Sequence, residues 1–192
     1  MSFKLQKRQA LDRKDNSRRG EVDKEILHVV DAINRLDDFY TTSSCAGRVV
    51  LLAKDERARK CDSKMLFVTH KRISPLRVLK VLNCQEKQMV WLRQESFIIH
   101  VCAKTLDSAN RLLLLAREAG FKHSGILTVG KRIILEIEGT ERMDVPIFHK
   151  KLLVNKHYLN IVCRIANKKM QKNLKKIDAF YRLLTEKMLN TN

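Results

Sequence analysis

Acidic residues are in short supply here: 21 Asp and Glu stand against 39 Lys and Arg, for a formal net charge of +18. That imbalance points to a polyanionic partner, either nucleic acid or an anionic membrane face. Long apolar runs are missing as well. No stretch approaches the length of a bilayer-spanning helix and the N-terminus is too charged for a secretory signal, so the chain is expected to have no membrane anchor. Basic helices can lie on a membrane surface, but nucleic acid accounts better for the charge. The five cysteines, Cys45, Cys61, Cys84, Cys102 and Cys163, are odd in number and far apart. That argues against a disulfide framework and for a reducing, cytoplasmic setting. No pair has zinc-ligand spacing and the six histidines are scattered, so no metal site is expected. Finally, no Gly-x-Gly-x-x-Gly follows a strand-like segment, and the strand–helix alternation of a doubly wound sheet is absent, which argues against a Rossmann-type cofactor site.

What is present suits one domain over residues 1–192, with a basic N-terminal segment 1–20 and a C-terminal helical segment 155–190. An apolar content of 44% is enough for a real core. Phe3 to Lys14 reads as a short helix. Asp23 stands where a helix N-cap belongs, ahead of Ile26, Val29, Val30, Ile33 and Leu36 at helical spacing. Strands are predicted at Arg48 to Ala53 and Lys64 to Thr69, separated by a charged loop from Lys54 to Ser63. Ser74-Pro75 opens a helix through Val81. Gln88 to Arg93 and Ser96 to Ala103 read as strands joined by a tight turn, and Thr105 to Ala119 as a helix closed by Gly120. A hairpin is predicted around Val129-Gly130-Lys131. From Asn155 the pattern is helical to Met188, with a bend expected around Asn167. These elements predict an α+β fold, a mixed, largely antiparallel sheet flanked by helices.

One stretch stands apart. Thr41-Thr42-Ser43-Ser44-Cys45-Ala46-Gly47-Arg48 packs hydroxyls, a thiol, a glycine and a guanidinium just before the apolar run Val49 to Leu52. Ser and Thr can bond their own backbone and hold a turn, glycine lets a ligand approach closely, and arginine suits a carboxylate or phosphate. The same composition also suits a plain loop leading into a strand.

The stretch resembles the Ser-x-Ser-Ser-Cys-Ser/Ala-Gly-Arg signature of the wybutosine-synthesising protein 3 family. Asp15-Asn16-Ser17-Arg18-Arg19-Gly20-Glu21-Val22-Asp23 is similar to that family's Asp-x-Ser-x-Lys/Arg-Gly-x-Val/Ile-Asp segment. Val68-Thr69-His70, Phe97-Ile98-Ile99-His100-Val101, Ala119-Gly120-Phe121-Lys122-His123-Ser124-Gly125 and Ala166-Asn167 resemble further motifs in family order. Lys122 stands where the family often has arginine and Ile99 where leucine is usual.

The resemblance implies a non-Rossmann, S-adenosylmethionine-dependent tRNA methyltransferase. Its substrate would be a ring nitrogen of the tricyclic wyosine intermediate, at the guanosine 3′ to the anticodon of phenylalanine tRNA. Displacement at a sulfonium methyl needs alignment and a proton acceptor but no covalent enzyme intermediate. On the matched motifs Asp23, Ser44 and Cys45 are the catalytic candidates. Asp23 is a proton acceptor, a cofactor ligand or only a helix cap, and Cys45 is a small wall of the pocket rather than a nucleophile. Cofactor candidates are Ser43, Ser44, Gly47, Arg48, His70, His100 and Ser124, and Arg48 equally suits an RNA phosphate. Arg18, Arg19, Tyr40, Lys122, Lys168, Lys169 and Lys172 are the RNA-binding candidates, Tyr40 by stacking on a base. The competing reading is a non-catalytic, basic RNA-binding module.

Overall fold

The computed structural model describes residues 2–12, 22–54, 63–82 and 87–190. Arg18, Arg19, the rest of the Asp15–Gly20 segment, nearly all of the expected Lys54 to Ser63 loop, Cys61 and Cys84 lie outside the described residues. The chain forms two compact units: Met1–Ala46, Phe97–Thr140 and Asn173–Asn192 make the first, and Gly47–Ser96 and Glu141–Lys172 the second.

The first unit is a four-stranded sheet. β1 (Phe39–Cys45), β5 (Ile98–Ala103), β7 (Ile133–Glu138) and β6 (Gly125–Thr128) lie side by side in that order, all antiparallel. Alternation along β5 and β7 sends Ile99, Val101, Leu135 and Ile137 to one face, where all four are fully buried. Helices α2 (Leu27–Arg35) and α4 (Leu106–Glu118) contribute Val29, Val30, Ile33, Leu112, Leu113 and Ala116 to the same core. The Thr105 hydroxyl accepts the Ser108 amide to start α4, and Gly120, at φ +99°, ends it in the left-handed conformation glycine tolerates. Past that stop Phe121 stacks near Phe97 (centroids 5.0 Å apart) and meets Phe180 edge-on at 5.9 Å. A short helix α1 (Phe3–Leu11) packs near β1, with Phe3 5.4 Å from the Tyr40 ring.

The second unit holds a five-stranded antiparallel sheet in the order β3 (Lys64–Thr69), β2 (Arg48–Ala53), β4 (Val90–Glu95), β8 (Met143–His149) and β9 (Lys151–Leu152). Central β2 is buried along Val49 to Ala53, which explains its continuous rather than alternating apolar run. Helix α3 (Pro75–Val81), capped by the Ser74 hydroxyl, adds Val78 to this core.

The last helix, α5 (Lys156–Leu184), belongs to both units. Asn155 caps it by accepting the Tyr158 amide. Leu159, Val162, Cys163, Ala166 and Met170 serve the second core, and Ile177, Phe180 and Leu184 the first. Within each group the spacing is helical, and the buried polar Asn173 stands between the two. A wider π turn, Thr185–Leu189, follows.

The helix runs unbroken through Asn167, whose amide bonds the Ile73 backbone: Nδ2 donates to the Ile73 carbonyl at 2.8 Å and Oδ1 accepts the Ile73 amide at 2.9 Å. Two expectations change. Strands β4 and β5 are consecutive but do not pair. Each already has a neighbour on both edges, β2 and β8 for the one and β1 and β7 for the other, so the strands divide into two sheets. Asp23 leads into a 3-10 turn, Lys24–Ile26, but its carboxylate makes no capping bond there.

Candidate active site

The hydroxyl-rich stretch is a strand and not the turn its composition suggested. Threonine fits a pleated ladder well, and Phe39 to Cys45 pair with β5 throughout, save for an irregularity between Thr41 and Ser43 that leaves Thr42 as an extra residue. Such a bulge re-aims the side chains after it. The Thr41 amide donates to Asn34 Oδ1 at 2.8 Å and the Thr42 hydroxyl to the His100 carbonyl at 3.3 Å. Ser43 then faces His100 across the ladder. Its Oγ lies 2.6 Å from His100 Nδ1, and His100 Nε2 lies 3.0 Å from Glu136 Oε2 on the next strand. Three adjacent strands thus carry a hydroxyl, an imidazole and a carboxylate in one hydrogen-bonded row.

The turn itself is Ala46-Gly47, with Gly47 at φ +85°. On the first unit's side it is tied down by two bonds. Asp23 Oδ2 accepts the Ala46 amide at 2.8 Å, and Asn173 Nδ2 donates to the Ala46 carbonyl at 2.7 Å. Asn173 Oδ1 also accepts the Phe97 amide at 2.9 Å, so this one buried side chain joins the end of β1 to the start of β5. Asp23 is therefore an anchor of the turn where a helix cap was expected. The reason is steric: the chain bends at Asp23 into a single 3-10 turn, while the orphan amide of Ala46 lies within reach.

In the second unit, Gly47 offers its carbonyl to His70, whose Nδ1 lies 3.0 Å away. Arg48 is not a solvated strand start. Its Nε donates to Glu95 Oε2 at 2.7 Å across the β2–β4 ladder, with both side chains about a third exposed. Next to that pair Gln94 is only 1% exposed. It donates to the Glu95 carbonyl, while its Oε1 has no hydrogen-bond partner among the described residues.

Ser124 is buried, and its hydroxyl accepts the Glu138 amide at 3.2 Å, a bond that closes the β6–β7 hairpin. Tyr40 is fully buried, and burial pushes its phenol up to about 12, so it has no open face for a base to stack on. The aromatic was judged by type alone, whereas its place beside Phe39 at the start of a core strand decides its burial. Lys122, Lys168 and Lys172 are exposed, and Lys169 sits 3.7 Å from Glu141. Glu136, Glu95, Gln94 and Asn173 escaped the sequence reading. Glu136 had a signal: in Ile133–Glu138 the acids alternate with buried Leu135 and Ile137, which puts them on the face opposite the core.

Cys45 is half-buried and in no disulfide. Cys45→Ser is expected to keep methyl-transfer turnover within roughly tenfold of the parent, because direct displacement needs no thiolate. Complete loss in a folded variant that still binds cofactor would contradict this. Among the described residues no three His, Cys, Asp or Glu side chains are placed to hold a metal ion, and no helix is long and apolar enough to cross a membrane.

Comparison with known proteins converges on one family. The sequence model of the family described as Methyltransferase TYW3 matches residues 4–186. The chain is 40% identical, over 93% of its length and 71% of the relative's, to the tRNA wybutosine-synthesizing protein 3 homolog of Mus musculus. It is 37% identical to the tRNA(Phe) 7-((3-amino-3-carboxypropyl)-4-demethylwyosine(37)-N(4))-methyltransferase of Thermococcus sibiricus, covering 92% of this chain and 91% of that one. The PH1069 protein of Pyrococcus horikoshii superposes with a TM-score of 0.88 at 34% identity, covering 95% of this chain and 96% of that one. A match this long, carried through both sheets and the shared helix, makes the chain a member of the Methyltransferase TYW3 family.

Proposed function

We propose that this methyltransferase takes its methyl group from S-adenosylmethionine and delivers it to N4 of the 4-demethylwyosine-type base at position 37 of phenylalanine tRNA. The observation that carries this reading is the polar row on β1, β5 and β7. A module that only gripped RNA would need exposed cations, not an imidazole held between a hydroxyl and a carboxylate.

The residues present fit the cofactor. Gly47 holds a left-handed backbone that any Cβ would strain. The buried Gln94 Oε1 is an acceptor of the kind an amino or ammonium group satisfies. When bound, the cofactor would supply a sulfonium methyl open to in-line attack by a nitrogen lone pair, with the neutral thioether as leaving group. Arg48, steadied by Glu95, would meet a carboxylate or a phosphate. His70, fixed on the Gly47 carbonyl, would donate or accept through its other ring nitrogen. Ser43 would present its hydroxyl to the base, whereas Ser44 pairs with Ile99 and points to the opposite face of the sheet. Asp23 keeps the Ala46 peptide in place at the end of β1, and Cys45 lines the strand end. Calorimetry tests the reading: saturable S-adenosylmethionine binding without RNA is expected, weakened by Arg48→Ala. Absence of heat and of any thermal shift at about millimolar cofactor would contradict it.

For the RNA, Lys168 and Lys172 on exposed turns of α5 are the proposed phosphate contacts, joined by Lys169 once it leaves Glu141; Lys122 is a further cation for the same task. Each phosphate contact releases counterions, so the logarithm of tRNA affinity should fall with log salt by ~0.7–0.9 per contact. The triple variant Lys168→Ala, Lys169→Ala, Lys172→Ala is expected to flatten that slope and weaken tRNA binding while leaving free-cofactor affinity nearly unchanged. An unchanged slope would show that this helix face is merely solvated.

A further inference from the structure

We infer that Ser43, His100 and Glu136 form the path by which the acceptor nitrogen loses its proton, with Ser43 at the substrate end. The inference rests on the methyl-transfer reading and assigns it a proton acceptor. Transfer to a nitrogen bearing hydrogen forms an N–C bond, breaks the S–C bond of the sulfonium and leaves one proton to be placed. In this chain the Ser43 oxygen takes that proton as its own hydroxyl proton passes to His100 Nδ1. The resulting imidazolium keeps its Nε2–H on Glu136. Charge balances: the sulfonium becomes a neutral thioether, and the positive charge moves to a histidine beside a carboxylate.

The geometry suits this step and has little other use. Ser43, His100 and Glu136 are register partners on consecutive strands, separated by 2.6 and 3.0 Å. They stand on the face away from the Ile99, Val101, Leu135 and Ile137 core. Ser43 is exposed, while the His100 and Glu136 side chains are 28% and 27% exposed. The most open member of the row is therefore the hydroxyl. On the same face the neighbouring rows are Tyr40, Cys102 and Ile134 on one side and Cys45, Ile98 and Glu138 on the other. As a stabilising device the row is weak, since partly exposed side-chain hydrogen bonds add little to a sheet. Glu136 holds the imidazole in the tautomer with hydrogen on Nε2, leaving Nδ1 free to accept from Ser43. Glu136 is thus a positioning residue, and Ser43 is the member that meets the substrate.

The test compares Ser43→Ala, His100→Gln, Glu136→Gln and Glu136→Asp with the parent in four measurements: methyl-transfer kcat, tRNA KM, cofactor Kd by calorimetry, and thermal unfolding. Ser43→Ala and His100→Gln should each lower kcat by about a hundredfold or more, as expected for loss of a proton acceptor, with KM and Kd within about threefold. Glu136→Gln should lower kcat by at least about tenfold, and Glu136→Asp should recover part of that loss. Nitrogen-15 spectra of the imidazole give a readout independent of turnover. His100 should show the Nε2–H tautomer in the parent and lose that preference in Glu136→Gln. Unchanged kcat in the folded variants, or a loss accounted for by weaker cofactor binding, would overturn the proton path while leaving the methyltransferase reading intact. A parent protein with the expected tautomer that transfers no methyl group would instead overturn the methyltransferase reading, and the proton path with it.

Discussion

Asn173→Ala lowers the unfolding free energy by about 2–6 kcal/mol, measured by urea titration, because it strands two buried backbone groups at about 1–3 kcal/mol each. The amide donates to the Ala46 carbonyl and accepts from the Phe97 amide, in a side chain only 1% exposed. Water would have to enter the packed core to replace the lost bonds. Asn173→Asp should be nearly as damaging, although it is isosteric. It keeps an acceptor for Phe97 but sets a carboxylate against the Ala46 carbonyl oxygen. Asn167→Ala makes the comparison, since it also breaks two bonds, to Ile73, but in a half-buried setting that solvent reaches more easily. Its cost should be the smaller. Equal costs, or a neutral Asn173→Ala, would show that the turn is held by something else.

Asp23→Ala is expected to cut methyl-transfer turnover by roughly a hundredfold, a loss of positioning comparable to misplacing a reacting group by about 1 Å. The carboxylate fixes the Ala46 amide, and with it the point where the hydroxyl strand gives way to Gly47. Asp23→Asn separates the two roles the residue can have. Its side-chain carbonyl still accepts the Ala46 amide, so an anchor survives the change and turnover should stay within about tenfold. A proton acceptor would not survive it. A hundredfold loss in Asp23→Asn with unchanged cofactor binding would therefore return the acid–base role to Asp23 and take it from the Ser43 row.

The elements with strong local rules were legible. Ser74-Pro75 opens α3 and Thr105 caps α4, since both carry their own start signals. The apolar run of β2 and the Gly-bounded hairpin of β6 and β7 read correctly for the same reason. Strand β1 was hidden because its Thr41 to Ser44 run has no apolar alternation, and only the ladder with β5 makes it a strand. Strand β8 went unread because Pro146 lacks the amide a ladder expects. It sits at the irregular β4 pairing, between Val90 and Trp91, where a missing donor is tolerated. Of the site, the Ser43, Gly47, Arg48 and His100 positions were visible as motif residues. Their partners were not, because Glu136, Glu95 and Asn173 reach them from strands and a helix many residues away. Sequence spacing carries no trace of such contacts, and Glu136 in particular needs the β5–β7 register before it can be chosen over Glu138.

The most direct measurement uses phenylalanine tRNA carrying the 4-demethyl tricyclic base and S-adenosylmethionine with an isotopically labelled methyl group. Purified protein is added, the tRNA is digested, and the modified nucleoside is analysed by mass spectrometry. The account predicts that one labelled methyl group appears on the N4 nitrogen of that nucleoside and nowhere else in the tRNA, with S-adenosylhomocysteine formed in equal amount. Tight, salt-sensitive tRNA binding with no label incorporated would contradict it and leave a basic RNA-binding module.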